Sequence, residues 1–251
     1  MSNVTEFAQG GFRYVNGVFQ YSCGVAALPG FAIERVRFFR PVPLAEGFAA
    51  IEAHIKALGR PMVAFCDCEL RSPEPFTEEG FKAFNQQYVG TLERWGLYKD
   101  GINPVGRSNV CPEINPPKVP SFYAFSYTVP VAVQPKRPSF VIAGSAESPE
   151  GKANYRDHII RRGDTSPEGL LEKARWVLGE HERRMGELGV GWADTTGVHV
   201  YSVHNIHPLM AAELVRRGAA EAGISWQYCR PPVVDLDYEM DTRGVAKELV
   251  I

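Results

Sequence analysis

The stretch Cys229-Arg230-Pro231-Pro232, followed by VVDLDYEMDT, sets an arginine ahead of four acids, Asp235, Asp237, Glu239 and Asp241, at every second position. A guanidinium is a planar fork that holds a carboxylate through two parallel hydrogen bonds. Pro231 biases Arg230 toward extended backbone, and neither proline offers an N–H, so the arginine has a stiff mount. The competing reading is an ordinary ion pair at a strand start. Strand alternation would set Val234, Leu236, Tyr238 and Met240 on one face and all four carboxylates on the other. As a set, the acids read as a solvated edge-strand face, where charge deters unwanted pairing. One acid enclosed beside the others would hold its proton and could act as general acid or base.

A second arginine, Arg107 in NPVGRSNV, opens another late strand. Cys111 lies just past it and Cys229 just before Arg230. A thiol beside a guanidinium could titrate low, but a nucleophile also needs a base that the sequence does not reveal. Both cysteines are therefore expected only to line a cleft. Cys66 and Cys68, two apart on one strand, read as buried packing. In HVYSVHNIHP, alternation puts His199 and His204 on opposite faces, while His204 and His207 could meet past the strand. Zinc wants about four ligands, and no acid or cysteine lies close, so no metal is expected. His204 is taken as a polar or proton-shuttling group near the cleft. Arg37 and Arg40 read as a charged outer strand face rather than a second clamp. Phosphate-binding loops and nucleophile elbows are missing from the chain.

Composition narrows the partners. The chain has 251 residues with net charge -2, which leaves no basic footprint for nucleic acid. Five cysteines, an odd number, do not make a disulfide framework, so a reducing cytoplasm is expected. No apolar run approaches the ~20 residues that cross a bilayer, and MSNVTEFAQGG lacks the features of a signal peptide.

The elements that must position these residues recur. FQYSCGVAALPG from Phe19 resembles FVIAGSAESPEG from Phe140, and each is followed by a helical segment, a strand, a second helical segment and an arginine-opened strand. The separations Phe19 to Phe140 and Arg107 to Arg230 are nearly equal, which argues duplication. In the later copy Leu170, Leu171, Ala174, Val177, Leu178, His181 and Met185 recur at helical spacing. Ser166 and Pro167 would start that helix and Gly189 would stop it. Further helices are predicted over Phe81–Trp95 and Pro208–Ala222. The Pro-rich VAVQPKRPS reads as a linker cut near Pro135, giving domains 1–135 and 136–251. Each would be α+β, its helices on one sheet face and the helix-free faces buried against each other or another subunit.

The early glycine strands YSCGVA and VIAGSA, the long helix ending in ALG or ELG, and Pro104–Val110 (P-x-x-R-S-x-V) resemble the RidA (YjgF, "L-PSP endoribonuclease") family in tandem. That resemblance implies two chorismate-mutase-like domains, each a mainly antiparallel sheet covered by two helices on one face. It implies a homotrimer with clefts between domains and a small carboxylate substrate. The implied chemistry is cofactor-free hydrolysis of enamines or imines, of the 2-aminoacrylate or aminomuconate type, with release of ammonia. Chorismatase- or tautomerase-like work on an enolic acid, or metabolite binding without turnover, are the alternatives. The ribonuclease label finds no support in the charge balance. The family's carboxylate-holding arginine maps to Arg107 and Arg230, and its late-strand glutamate to Glu239 alone, because SFYAFSYTVPV has no acid. The expected catalytic pair is Arg230 with Glu239; Arg107, Arg230, Cys111, Cys229 and His204 are the expected binding residues.

Overall fold

A computed structural model describes residues 3–251. In chain order the elements are β1 (Val4–Phe7), β2 (Phe12–Val15), β3 (Gly24–Ala27), β4 (Phe31–Pro43), α1 (Leu44–Ala57), β5 (Phe65–Arg71), α2 (Glu78–Arg94), β6 (Gly106–Pro112), β7 (Ser121–Pro130) and β8 (Phe140–Ala146). Then come α3 (Pro167–Leu188), β9 (Gly197–Tyr201), α4 (His207–Leu209, running into a π-helical turn Met210–Val215), β10 (Ile224–Gln227), β11 (Cys229–Arg230), β12 (Glu239–Gly244) and β13 (Lys247–Val250).

Two mixed sheets form from these strands, in the orders β1-β2-β3-β8-β12-β9-β10 and β11-β6-β5-β7-β4-β13. The run β4-β7-β5-β6 in one is matched by β8-β12-β9-β10 in the other, each ending in a parallel pair. Pro135 lies in the link between β7 and β8, and across it the halves exchange edge strands. β3 pairs with β8, while β11 and β13 join the sheet of the first half.

Helix ends follow local chemistry. The Ser166 hydroxyl accepts the Gly169 N–H at 3.1 Å, Pro167 takes the first position, and Gly189 closes α3 in the left-handed region at φ 67°. The predicted apolar stripe of α3 is buried, including Leu170, Ala174, Val177, Leu178 and Met185. Thr77 caps α2 in the same way. The predicted segment Pro208–Ala222 is helical only to Arg217.

As expected for an α+β layering, the helix-free faces bury each other. Phe12, Val25, Ile33, Cys66 and Val141 pack between the sheets. Beside them lies a polar cluster in which Arg35 Nε meets Glu69 at 2.6 Å and His199 meets Asp241 at 3.0 Å. Cys68 instead packs under the helices, its Sγ 3.2 Å from the Tyr88 hydroxyl. An irregularity between Phe65 and Asp67 accounts for this departure from the single face expected for the two thiols.

The acid-rich segment departs most from expectation. VVDLDYEMDT is not one strand: Val233–Leu236 form a turn with Asp235 at φ 73°, Val234 is exposed, and β12 begins only at Glu239. Asp235 pairs at the surface with Arg162 at 2.7 Å, and Asp237 reaches Lys173 at 2.7 Å and His204 at 3.1 Å. Glu239 and Asp241 are buried, so the acids do not share one wet face. Alternation holds only from Tyr238 on, where Tyr238 and Met240 pack beneath α3 and the two acids turn the other way.

Candidate active site

Glu239 and Arg107 line one cavity of about 40 Å³, closed by Tyr21, Phe81, Asn109 and Tyr155. Past Phe81 and Tyr155 it adjoins an open groove of about 460 Å³ bordered by Lys82 and Lys152. The inner volume has room for a few waters or the reacting end of a small molecule; the groove can take the remainder.

Strand β6 presents Arg107, which is 2% exposed. Aromatic rings surround its guanidinium, with centroids at 5.0 Å (Tyr88), 5.1 Å (Tyr21), 5.5 Å (Phe81) and 5.8 Å (Phe84). Its hydrogen bond is from Nη1 to Asn85 Oδ1 at 2.5 Å, and Nε is buried without a partner. Among the described residues no carboxylate pairs with it. Ring faces attract a cation but supply no counter-charge.

Glu239 opens β12 and is 3% exposed. Burial pushes its carboxyl well above the ordinary range, helped by Asp241 and Glu147 and opposed by Arg71 and Arg107. No hydrogen-bond partner for the carboxyl lies among the described residues. Gly144 of β8 makes room for it, since a Cβ there would collide with Glu239 Oε1. The residues before Glu239 are held by buried Glu147, which accepts the N–H of Asp237 at 2.6 Å and of Tyr238 at 3.1 Å and pairs with Lys173 at 3.2 Å. The glutamate is thus a fixed carboxyl that burial inclines toward its protonated form, in one cavity with an arginine that has no carboxylate partner among the described residues.

Behind it, Asp241 has the opposite character. Burial works against its charge, but His199, Tyr201 and Arg243 outweigh that and hold it well below the usual carboxylate range. Glu69, His199 and Asp241 have ligand atoms within 4.8 Å of one another. Each already has a partner, Glu69 Oε1 in Arg35 at 2.6 Å, Asp241 in the Tyr201 hydroxyl at 2.6 Å, and His199 Nε2 in Arg243 at 3.1 Å, while Glu69 Oε2 is buried without a hydrogen bond. Two guanidiniums beside the trio suit an ion-pair network better than a cation.

The structure separates the other expected site residues from this cavity. Arg230 is 40% exposed and holds Glu113 through Nε at 2.7 Å and Nη2 at 3.1 Å. Its strand pairs with β6, Arg230 lying opposite Cys111. The counterpart of β6 in the other sheet is β10, so Arg230 does not occupy the position Arg107 holds. Cys111 and Cys229 are buried, and burial pushes both thiols up rather than down, with Arg71 only partly opposing it. His204 lies against Asp237. None of these four lines the cavity. Sequence reading missed Tyr21, Phe81 and Tyr155, which come from distant segments. Asn109 was legible in principle, being two residues along the strand from Arg107 and so on its face.

A family model for 2-aminomuconate deaminase CnbZ matches residues 4–249. The 2-amino-5-chloromuconate deaminase of Comamonas testosteroni is 55% identical over 251 residues, the whole of both chains. Among solved structures, a chorismatase is 13% identical at TM-score 0.49, covering 92% of this chain and 79% of its own. The YjgF gene product of E. coli is 15% identical at TM-score 0.33, covering 45% of this chain and 84% of its own. With the model spanning almost the whole chain and more than half the residues shared end to end, the protein is an enzyme of the 2-aminomuconate deaminase CnbZ family.

Proposed function

We propose that this protein hydrolyses 2-aminomuconate-type enamine dicarboxylates to the corresponding 2-oxo acid and ammonia. The carrying observation is the buried Arg107, without a carboxylate partner among the described residues, in one cavity with Glu239, whose carboxyl burial pushes well above the ordinary range. Arg107 binds the carboxylate next to the amine-bearing carbon, which gives its guanidinium the missing counter-charge. The carbon chain then runs out past Phe81 and Tyr155, with the far carboxylate in the groove near Lys82 and Lys152.

Glu239 supplies the proton transfers. As an acid it protonates the enamine carbon chain, and the amine-bearing carbon becomes an iminium. The carboxylate so formed takes a proton from water as the water oxygen bonds to that carbon, giving a carbinolamine. Glu239 next protonates the nitrogen, the carbon–nitrogen bond breaks, and the hydroxyl proton returns to Glu239. Enamine and water become ketone and ammonia, and the glutamic acid is regenerated. A raised carboxyl is needed for the first step, and the nearby Arg107 makes the second accessible.

This reading keeps the expectations of a cytoplasmic homotrimer and of an internally duplicated chain cut near Pro135, and takes Arg230 as a tie between β11 and β6. Sedimentation that found only monomer would remove the trimer. The decisive test is ammonia release from freshly generated 2-aminomuconate by wild type and Arg107→Ala side by side. Release above the spontaneous rate that is lost in the variant supports the reading; no acceleration by wild type sinks it.

A further inference from the structure

Asn109 has an amide that the fold leaves half used. It lies on β6 two residues beyond Arg107, is 3% exposed and lines the same cavity as Glu239. The Ser72 hydroxyl donates to its Oδ1 at 2.9 Å, which fixes the direction of the amide. Its Nδ2 is buried without an acceptor. A buried amide N–H with nothing to donate to is a standing loss of free energy, and here the loss sits in the cavity that takes the substrate.

We infer that Asn109 is a catalytic hydrogen-bond donor to the oxygen that arrives on the amine-bearing carbon. The assignment rests on the deaminase reading above and goes beyond it in giving the nitrogen and oxygen of the carbinolamine separate places. Arg107, with its charge and fork, takes the carboxylate. A neutral N–H suits the hydroxyl of the carbinolamine and the keto oxygen it becomes, both of which accept hydrogen bonds. The departing nitrogen is protonated and cannot accept one. With its oxygen on Asn109, the carbinolamine turns its nitrogen toward Glu239, the group that must protonate it. No bond to Asn109 forms or breaks.

The test is steady-state ammonia release from 2-aminomuconate by wild type, Asn109→Ala, Asn109→Ser and Ser72→Ala, with thermal unfolding of each. The inhibition constant of trans,trans-muconate, the same dicarboxylate without the amine, is measured alongside. Losing a donor to the reacting oxygen is expected to lower kcat about 100-fold in Asn109→Ala, with KM and the muconate inhibition constant within about threefold of wild type. Asn109→Ser, which restores a shorter donor, should recover part of the rate, and Ser72→Ala, which only unfastens the amide, should lose less than Asn109→Ala. An Asn109→Ala enzyme that keeps its kcat overturns the assignment. So does one whose muconate binding weakens along with its activity, since Asn109 would then hold the carboxylate or the fold. Wild type without ammonia release removes the functional reading itself, and this inference with it.

Discussion

Arg107 and Arg230 stand at matching points of the sequence and on neighbouring strands of one sheet, yet they hold their charge in opposite ways. Arg230 is a surface residue forked onto Glu113, and such exposed pairs are worth about 0–1 kcal/mol. Arg107 is enclosed by rings and Asn85, with no carboxylate partner among the described residues. A buried cation without a counter-charge destabilises the fold and is satisfied only when an anion arrives. What singles out Arg107 as the proposed anchor is the partner the fold withholds, and not the arginine motif that both share.

The comparison breaks most readily at Arg107. Arg107→Ala should lower kcat/KM by about 1,000-fold, on the order of 4 kcal/mol of transition-state binding. Arg107→Met, which fills the cage without charge, should be as inactive but melt higher than wild type. A loss below about tenfold in the first variant, read against that factor-of-ten scale, would put the anchor elsewhere.

Glu239→Gln comes next, with kcat expected to fall about 100-fold for want of a proton carrier. Its effect on stability sharpens the contrast. In the unfolded chain Glu239 ionises near the usual ~4.3, while in the fold burial raises it well above that. Holding the proton in the fold therefore weakens stability progressively from about pH 4.3 up to the raised value. Glu239→Gln should melt higher than wild type at pH 8 and no higher below about pH 4. A lower melting point at pH 8 would show that the carboxyl is a structural partner after all.

Lys173→Met addresses the support beneath Glu239. It leaves Glu147 buried without its cation, and should cost about 3 kcal/mol in denaturant unfolding. Loosening of the residues that Glu147 holds should lower kcat by a further factor of about ten; an unchanged kcat would mean that Glu239 is positioned by β12 alone.

Lys82→Ala should raise KM for a dicarboxylate about two- to fivefold and flatten the salt dependence of kcat/KM, because an exposed cation at the groove acts through screened attraction. A KM indifferent to the substitution would place the far carboxylate away from α2. Smallest of all, Arg230→Ala should change kcat/KM by less than about twofold and stability by under about 1 kcal/mol. A large kinetic loss there would reverse the ranking of the two arginines.

Much of the frame was legible because it depends on neighbours within a turn or along a strand. Ser166, Pro167 and Gly189 bound α3 by local capping, and its apolar stripe faces the sheet at the expected spacing. Arg107 and Glu239 were both named from the sequence, as was the burial of helix-free sheet faces. Pairing them in one cavity was not legible, because Arg230 looked equally suited until β11 was seen against β6 beside Glu113. The alternation of acids from Asp235 to Asp241 also misled. Asp237 is drawn to Lys173 and Asp241 to His199 and Tyr201, contacts with residues 40 to 64 positions away that no local period records.

What the chain determined by itself is the kind of chemistry it can do, an arginine fork and an acid on well-bounded strands, because side-chain type and backbone periodicity are properties of the residue and its near neighbours. Only the tertiary structure decided which arginine lacks a carboxylate partner among the described residues, which of four acids burial pushes toward its protonated form, and which donor beside them has no acceptor. Those are matters of desolvation and counter-charge, and both are settled by segments that meet only when the two sheets close on each other.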